Sequence, residues 1–347
     1  MTKLSQKEQE IIAILLKKGA ISSSDVHELL PDFSLVTIKR ALSALAKGEY
    51  LAIEGSGPST IYEVAQLGRI FADIDAHAYC AEEPDKRYGL KNFNFDLLNA
   101  FPENLFTDTE LLALDNATTT YHQRTTNVPE FIQKKELERL IIELSWKSSK
   151  IEGNTYTLLD TEKLILENKE ASGHDHQEAR MILNHKDAFT FVHDNATEFV
   201  GLTRANLEKL HSILIKDLNV GTGLRSRAVG VLGSAYQPLS TGFQIDEAIT
   251  ALHYAIEKAT TPYAKALLAL LCISYIQPFE DGNKRTSRLM ANALLLAHGC
   301  APLSYRSIDE NEYRETMLVF YELNSIMPFK KIFVAQYEFG ATNYAVK

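Results

Sequence analysis

The sequence predicts a mainly α protein: a helical bundle carrying one β-hairpin, preceded by a small α+β module. Three observations predict it. Ala264 to Ile276 and Leu289 to His298 are apolar nearly all round, as helices in the middle of a bundle are. Elsewhere apolar residues recur at helical spacing between Ser/Thr caps and glycine stops. Only residues 50–64 and 224–240 set β-branched residues between glycines in the manner of short hairpins.

Composition narrows the class. With 347 residues, 45% of them hydrophobic, the chain can bury a large core and form two or three domains. Its apolar runs are broken within about 14 positions, short of the ~20 that a membrane span needs. The first residues, MTKLSQKEQEIIAILLKKG, carry charge through their apolar part and lack a small-residue cleavage site, so no signal peptide, no membrane and a cytoplasmic location are expected. Cys80, Cys272 and Cys300 are an odd, widely spaced set, better suited to a core than to disulfides or metal. A net charge of −9 argues against coating a polyanion, though it leaves room for a local basic patch.

Residues 1–65 are read as the first module. Gln6 to Lys18 presents Ile11, Ile12, Leu15 and Leu16 on one face and stops at Gly19. A second helix spans Ser22 to Leu30, and Ser34 caps a third that ends at Gly48. Tyr50 to Val64 follows as two strands with a Gly/Pro/Ser tip. This order resembles the winged helix-turn-helix family, which implies a third helix entering the major groove of DNA, here through Thr37, Lys39 and Arg40. Against that, residues 1–65 hold seven Lys/Arg and eight Asp/Glu, a thin footprint for DNA. The alternative is a docking or dimerisation module, with a homodimer as its product.

Residues 66–125 are expected to form a helical connector. Leu67 to Tyr79 and Glu103 to Leu114 have helical character, and Phe93, Phe95, Leu97, Leu98 and Phe101 are too apolar for a free linker.

Residues 126–340 carry the chemistry. An amphipathic helix from Gln133 runs into Ser148-Ser149-Lys150-Ile151-Glu152-Gly153, so that a loaded turn closes the span of about 133–153. Helices are expected over 158–170, 177–193, 203–217, 245–258 and 263–276, with Thr203 as a cap. His174-Asp175-His176 opens one of them, with Asp175 as a cap and no third metal ligand at recognisable spacing. Between the two apolar helices lies Gln277-Pro278-Phe279-Glu280-Asp281-Gly282-Asn283-Lys284-Arg285-Thr286-Ser287-Arg288. Pro278 ends the first helix and Gly282 turns the chain before the next, which is expected to open near Lys284 or Arg285. The N–H groups of Gly282, Asn283 and Lys284 would face an incoming anion, with Arg285 and Arg288 three apart on the first turns. Asp281 is placed for Mg²⁺, since such sites use one or two carboxylates together with substrate phosphates.

Residues 277–288 resemble the Fic (Fido) signature, His-Pro-Phe-x-(Asp/Glu)-Gly-Asn-(Gly/Lys)-Arg-x-x-Arg, at every motif position except the first. The resemblance extends over roughly residues 126–335. It implies a Fic-type helical bundle with a β-hairpin flap, here about 224–240, that presents a target protein's Ser, Thr or Tyr hydroxyl. It also implies ATP as substrate, with Asp281 on Mg²⁺ and Gly282 to Lys284 lining an anion hole. Asn283 would touch nucleotide phosphates, and Arg285 and Arg288 would grip the β- and γ-phosphates. The family's general base is the missing histidine; Gln277 has no group that titrates near neutrality. Lys284 stands where many members have Gly and resembles the Doc-like branch, whose members can move phosphate rather than AMP. Ser148, Glu152 and Gly153 resemble the inhibitory motif of autoinhibited members, in which the glutamate pairs with the second arginine, here Arg288. The functional expectation is an AMP transferase restrained by Glu152 and impaired at Gln277. The alternative is a non-transferring ATP-binding protein that regulates DNA through its first module. Removal of AMP, with Glu152 orienting water, ranks last because it too needs the histidine.

Overall fold

Serine side chains start the helices of the first module. In the computed structural model, which describes residues 4–346, α1 (Gln6–Lys18) begins at Ser5 and ends at Gly19. Ser5 and Glu8 form a reciprocal capping box, as do Ser22 and Asp25. After the short β1 (Ile21–Ser22) come α2 (Ser23–Leu29) and α3 (Leu35–Lys47), the latter capped by Ser34. β2 (Leu51–Glu54) and β3 (Ile61–Val64) pair antiparallel, Leu51 opposite Val64, and β1 adds to β3, giving the order β1-β3-β2. Ile11, Leu15, Val26, Ile38, Leu42 and Leu45 pack as one core beneath this sheet's Leu51 and Val64.

The expected helix over 67–79 is two short ones, α4 (Gln66–Ile70) and α5 (Ala76–Cys80), because Asp75 caps a fresh start. Then comes α6 (Leu97–Ala100). Phe93, Leu97, Leu98 and Phe101 are buried, as an apolar connector requires, while Phe95 is exposed.

Two compact units share the chain, and they interleave in sequence. One holds everything up to Phe101, with Gly230–Gln237 and Glu315–Lys330. Inside it a buried ion pair joins Arg87 to Glu322 at 3.1 Å. Ser234 and Tyr79 donate their hydroxyls to the same carboxylate, and Arg87 also donates to the Gly233 carbonyl.

The other unit is helical throughout its regular structure. α7 (Asp108–Thr125) starts five residues later than Glu103, because Thr107 and Glu110 make its capping box. It is followed by α8 (Glu130–Ile151), α9 (Leu158–Glu167), α10 (His176–Asp194), α11 (Arg204–Leu214), α12 (Gly242–Lys258), α13 (Pro262–Ile276) and α14 (Asn283–Ala297). The described chain closes with α15 (Glu310–Leu323), which belongs to the first unit from Glu315 onward, and α16 (Met327–Asn343), which belongs to the second from Lys331 onward. α13 and α14 pack along each other at the centre, with the Ser274 and Ser287 hydroxyls 2.8 Å apart across them. Both helices are buried on nearly every side; the all-round apolar character of α13 and of the second half of α14 demands it there, while the polar first turns of α14 are buried with partners of their own.

The stretch 224–240 corrects one expectation. No strand forms there, and the three-stranded sheet of the protein lies in residues 21–64. A ladder needs its carbonyls, and here the Arg225 side chain takes two of them, at Arg227 and Leu239, together with the Gln277 carbonyl of the loop after α13. The only pairing recorded within the stretch is an isolated bridge from Gln237 to Asn92.

The three cysteines are free thiols, two of them buried. Among the described residues no cluster of side chains suits a metal ion; His174 contacts Thr155 and Glu178, and His176 contacts Glu170. No described helix is long and apolar enough to cross a membrane.

Candidate functional site

Gln277 ends α13 in the left-handed region, at φ 52° and ψ 60°. That conformation costs a non-glycine residue about 1–2 kcal/mol, so the surroundings must hold it. They do so through the side-chain amide. Nε2 donates to the Ser274 carbonyl at 2.6 Å, which can only accept, so Oε1 must face Asn283 Nδ2, 2.9 Å away. Asn283 in turn accepts from the Phe279 N–H and donates to the Phe279 carbonyl, each at 2.8 Å. Both ends of its amide are therefore occupied by the loop. The Asn283 side chain, expected to touch phosphates, is thus engaged in stapling the turn.

Gly282 follows at φ +79°, a conformation that favours glycine, and is the N-cap of α14. The helix therefore opens at Asn283, one residue before the expected start. No side chain caps it, and no acidic residue lies in its first turn. Its leading N–H groups and dipole are left for an anion.

The charges around this helix start are paired off. Asp281, 63% exposed, accepts from the buried Arg285 at 2.9 Å. Burial lowers the Arg285 pKa more than Asp281 and Glu152 raise it. Arg288 is fully buried and donates four hydrogen bonds. Its Nε reaches Ser148 Oγ at 2.8 Å, Nη2 reaches the Ser148 carbonyl at 2.9 Å and Glu152 Oε1 at 2.8 Å, and Nη1 reaches the Tyr313 hydroxyl at 3.3 Å. Burial works against its charge, and Tyr313 and Glu152 outweigh that and raise its pKa. Glu152 caps the end of α8, and its other oxygen lies 3.5 Å from Lys284 Nζ. Burial pushes the Glu152 carboxyl up, but Arg288 and Lys284 prevail and hold it below the usual carboxylate range. Gly153, at φ +98°, lets the chain leave α8 directly afterwards.

Sequence reasoning missed three supports. His211, on α11, stacks on Phe279 with ring centres 3.6 Å apart and an interplanar angle of 6°. Its Nε2 lies 3.0 Å from the Asp281 carbonyl, an acceptor only, so this nitrogen carries the proton. Burial, helped by Arg285, brings its pKa down to about 4, which keeps the ring neutral. His185 on α10 is likewise held neutral by burial and by Arg288 and Arg285. Arg225 fastens the Gln277 carbonyl from outside the motif, and its backbone N–H donates to the Pro278 carbonyl. None of these carries a local signal.

Thus Gln277, Asp281, Gly282, Asn283, Lys284, Arg285 and Arg288 are gathered with Ser148, Glu152 and Gly153 at one place. Thr37, Lys39 and Arg40 lie on α3 in the other unit; the Thr37 hydroxyl is tied to Ser34, while Lys39 and Arg40 are exposed.

Residues 201–295, which include the whole loop, match the Fic/DOC family. The chain carries a Fic domain. The helical fold around that domain superposes on a Fic domain containing signaling protein from Bacteroides thetaiotaomicron, with a TM-score of 0.56 at 21% identity, covering 66% of this chain and 94% of that one. It also matches Fic-1 (aa134–508) from C. elegans, with a TM-score of 0.59 at 18% identity, covering 68% and 72%. In sequence, the chain is 30% identical over 203 residues to the Protein adenylyltransferase Fic of Nematostella vectensis, covering 52% of this chain and 44% of that protein. The protein of the same name from Drosophila yakuba is 28% identical over 185 residues, covering 52% and 37%. The chain therefore spans less than half the length of these curated relatives.

Proposed function

We propose that the chain transfers AMP from ATP to a hydroxyl side chain of a target protein, that Glu152 restrains this activity and that Gln277 slows it. The observation that carries the reading is Arg288, a buried cation whose fork holds a carboxylate beside the uncapped start of α14. A carboxylate in that fork occupies the geometry that a phosphate oxygen would take. Departure of Glu152 would free Arg288 for the γ-phosphate, while Arg285 would exchange Asp281 for the β-phosphate. Asp281, mostly exposed, suits Mg²⁺ once nucleotide phosphates complete the coordination, and the ion would supply charge neutralisation to the transferring group. The arginines do the same for the leaving pyrophosphate, an electrostatic contribution fixed in advance of the reaction.

The weak point is proton removal. The Gln277 amide can accept no proton near neutrality, and its oxygen already takes the Asn283 N–H. General-base catalysis is typically worth ~10²–10⁴ in rate, so a slow transferase remains when positioning and electrostatics are intact.

The test is label transfer from α-labelled and γ-labelled ATP with Mg²⁺, in the unaltered chain and in Gln277→His, Glu152→Gly and the double variant. Transfer of α-label, largest in the double variant, is expected. Transfer of γ-label would instead make the chain a kinase of the Doc-like kind, in keeping with Lys284. Absence of transfer in every variant would favour a second reading. In it the domain binds ATP without reacting and regulates through the module of α1 to β3; the locked Gln277 amide is what favours it.

A further inference from the structure

Glu152 meets two cations, and they belong to one helix face. Arg288 Nη2 stands 2.8 Å from Oε1, and Lys284 Nζ stands 3.5 Å from Oε2. Lys284 and Arg288 are four residues apart on α14, the spacing that sets two side chains one above the other. One carboxylate oxygen thus faces each of them. The location makes two cations useful. Glu152 terminates α8, where the helix dipole disfavours a negative charge, and it is only 19% exposed, so water compensates little. The depressed pKa of its carboxyl has Lys284 among its causes, directly after Arg288.

From this geometry we infer that Lys284 is a second latch on Glu152, a positioning residue that holds the restraining carboxylate in place independently of Arg288. Its effect on nucleotide binding rests on the reading given above. Lys284 then has two opposed tasks. While Glu152 is seated, the ammonium strengthens the closed arrangement and discourages phosphates. Once Glu152 leaves, the same ammonium, at the start of a helix that favours anions, attracts them. Removing Lys284 should therefore act in opposite directions on either side of the Glu152 switch.

A double-mutant cycle tests this with the full chain, using Lys284→Met, Glu152→Gln and both together. The first measurement needs no nucleotide. Amide hydrogen exchange at residues 148–153 should quicken roughly two- to fivefold in Lys284→Met, the range for a partly exposed ion pair. In the Glu152→Gln background the same substitution should leave that exchange unchanged. Equal effects in both backgrounds, or none in either, would overturn the latch. A general loss of packing is recognised because it would also quicken exchange in α13, which touches neither side chain through this pair.

The second measurement is MgATP binding by calorimetry in the same four proteins. Lys284→Met should tighten binding roughly two- to fivefold with Glu152 present and weaken it in the Glu152→Gln background. If no protein in the set binds MgATP while the exchange cycle is coupled, the latch stands and the nucleotide reading falls. If all bind with the same ratio in both backgrounds, the nucleotide reading stands and Lys284 is no latch.

Discussion

The cations of the motif loop and those of α3 obey opposite rules. Arg285 and Arg288 are buried, and each meets a carboxylate within 3 Å. Lys39 and Arg40 are exposed and have no ion pair among the described residues. A buried guanidinium must be compensated wherever it lies, so it can receive a ligand only by exchanging partners. An exposed one stays solvated and can meet any anion at little cost. The loop is therefore a switch by construction, and α3 is a surface whose affinity depends on its total charge. Substitutions on each side of this contrast should differ by an order of magnitude in energy.

The largest effect is expected at Arg288. Arg288→Met removes the partner of a carboxylate that is largely out of water and frees the Ser148 carbonyl, so it should destabilise the protein by about 3–5 kcal/mol. Arg288→Met with Glu152→Gln removes the stranded charge and should recover a substantial part of that loss. Urea unfolding of the two variants measures both; a double variant no more stable than the single one would show that Glu152 is not compensated by Arg288.

Next comes Arg225, whose guanidinium holds three backbone carbonyls. Each buried acceptor left unsatisfied costs about 1–3 kcal/mol, so Arg225→Met should lower stability by roughly 3 kcal/mol after partial rehydration. Lysine, with a point charge instead of a fork, should not rescue it fully. Full rescue by Arg225→Lys would mean that charge, and not the planar fork, is what the segment 224–240 needs.

Acidification acts on the surroundings of the motif loop through buried histidines. The His211 pKa is down to about 4 from 6.5. The unfolded chain therefore binds more protons between those values, and stability rises with pH across that window and is lost as pH falls through it. The drop corresponds to about 3 kcal/mol when fully developed. His185 adds in the same direction, and Glu152 adds only as pH falls below the ordinary carboxylate value, because its pKa is depressed. Thermal unfolding of His211→Gln at pH 7 and pH 5 should show a smaller difference than the unaltered chain. An equal difference would place the acid sensitivity in His185 or elsewhere.

Much of this site could be read from sequence because the residues that do the work are neighbours. Residues 277–288 supply the turn, the anion-facing helix start and both arginines within one stretch, and Ser148 to Gly153 announce themselves at a helix end. What could not be read depends on distance in sequence. His211 reaches Asp281 across 70 positions, and Tyr313 and Arg225 likewise contribute from other elements. The Asn283 side chain could not be assigned without seeing that Gln277 and Phe279 consume it. In the fold, caps are legible at Ser22, Ser34 and Thr203, and boundaries slip where a second cap intervenes inside an expected helix, as at Thr107 and Asp75. The stretch 224–240 misleads because β-branched residues between glycines record a local preference, whereas pairing needs free carbonyls and a partner strand.

The smallest effect should come from α3, and it sharpens the contrast most directly. Lys39→Ala with Arg40→Ala touches no buried group, so stability should stay within about 0.5 kcal/mol. Binding to duplex DNA is the property at stake. Each phosphate neutralised contributes about 0.9 to the slope of log affinity against log salt. α3 offers Lys39 and Arg40 in its exposed middle and Lys47 in its last turn, and residues 51–64, the hairpin that follows, hold no lysine or arginine. A slope of about two to three, falling by about two in the double variant, is therefore what this face can deliver. A slope well above three would require a larger footprint than α3 and its hairpin possess. An absence of DNA binding would instead make the exposed Val36 and Ile53, on α3 and β2, the better guides to what this unit meets, with a protein surface in place of a phosphate backbone.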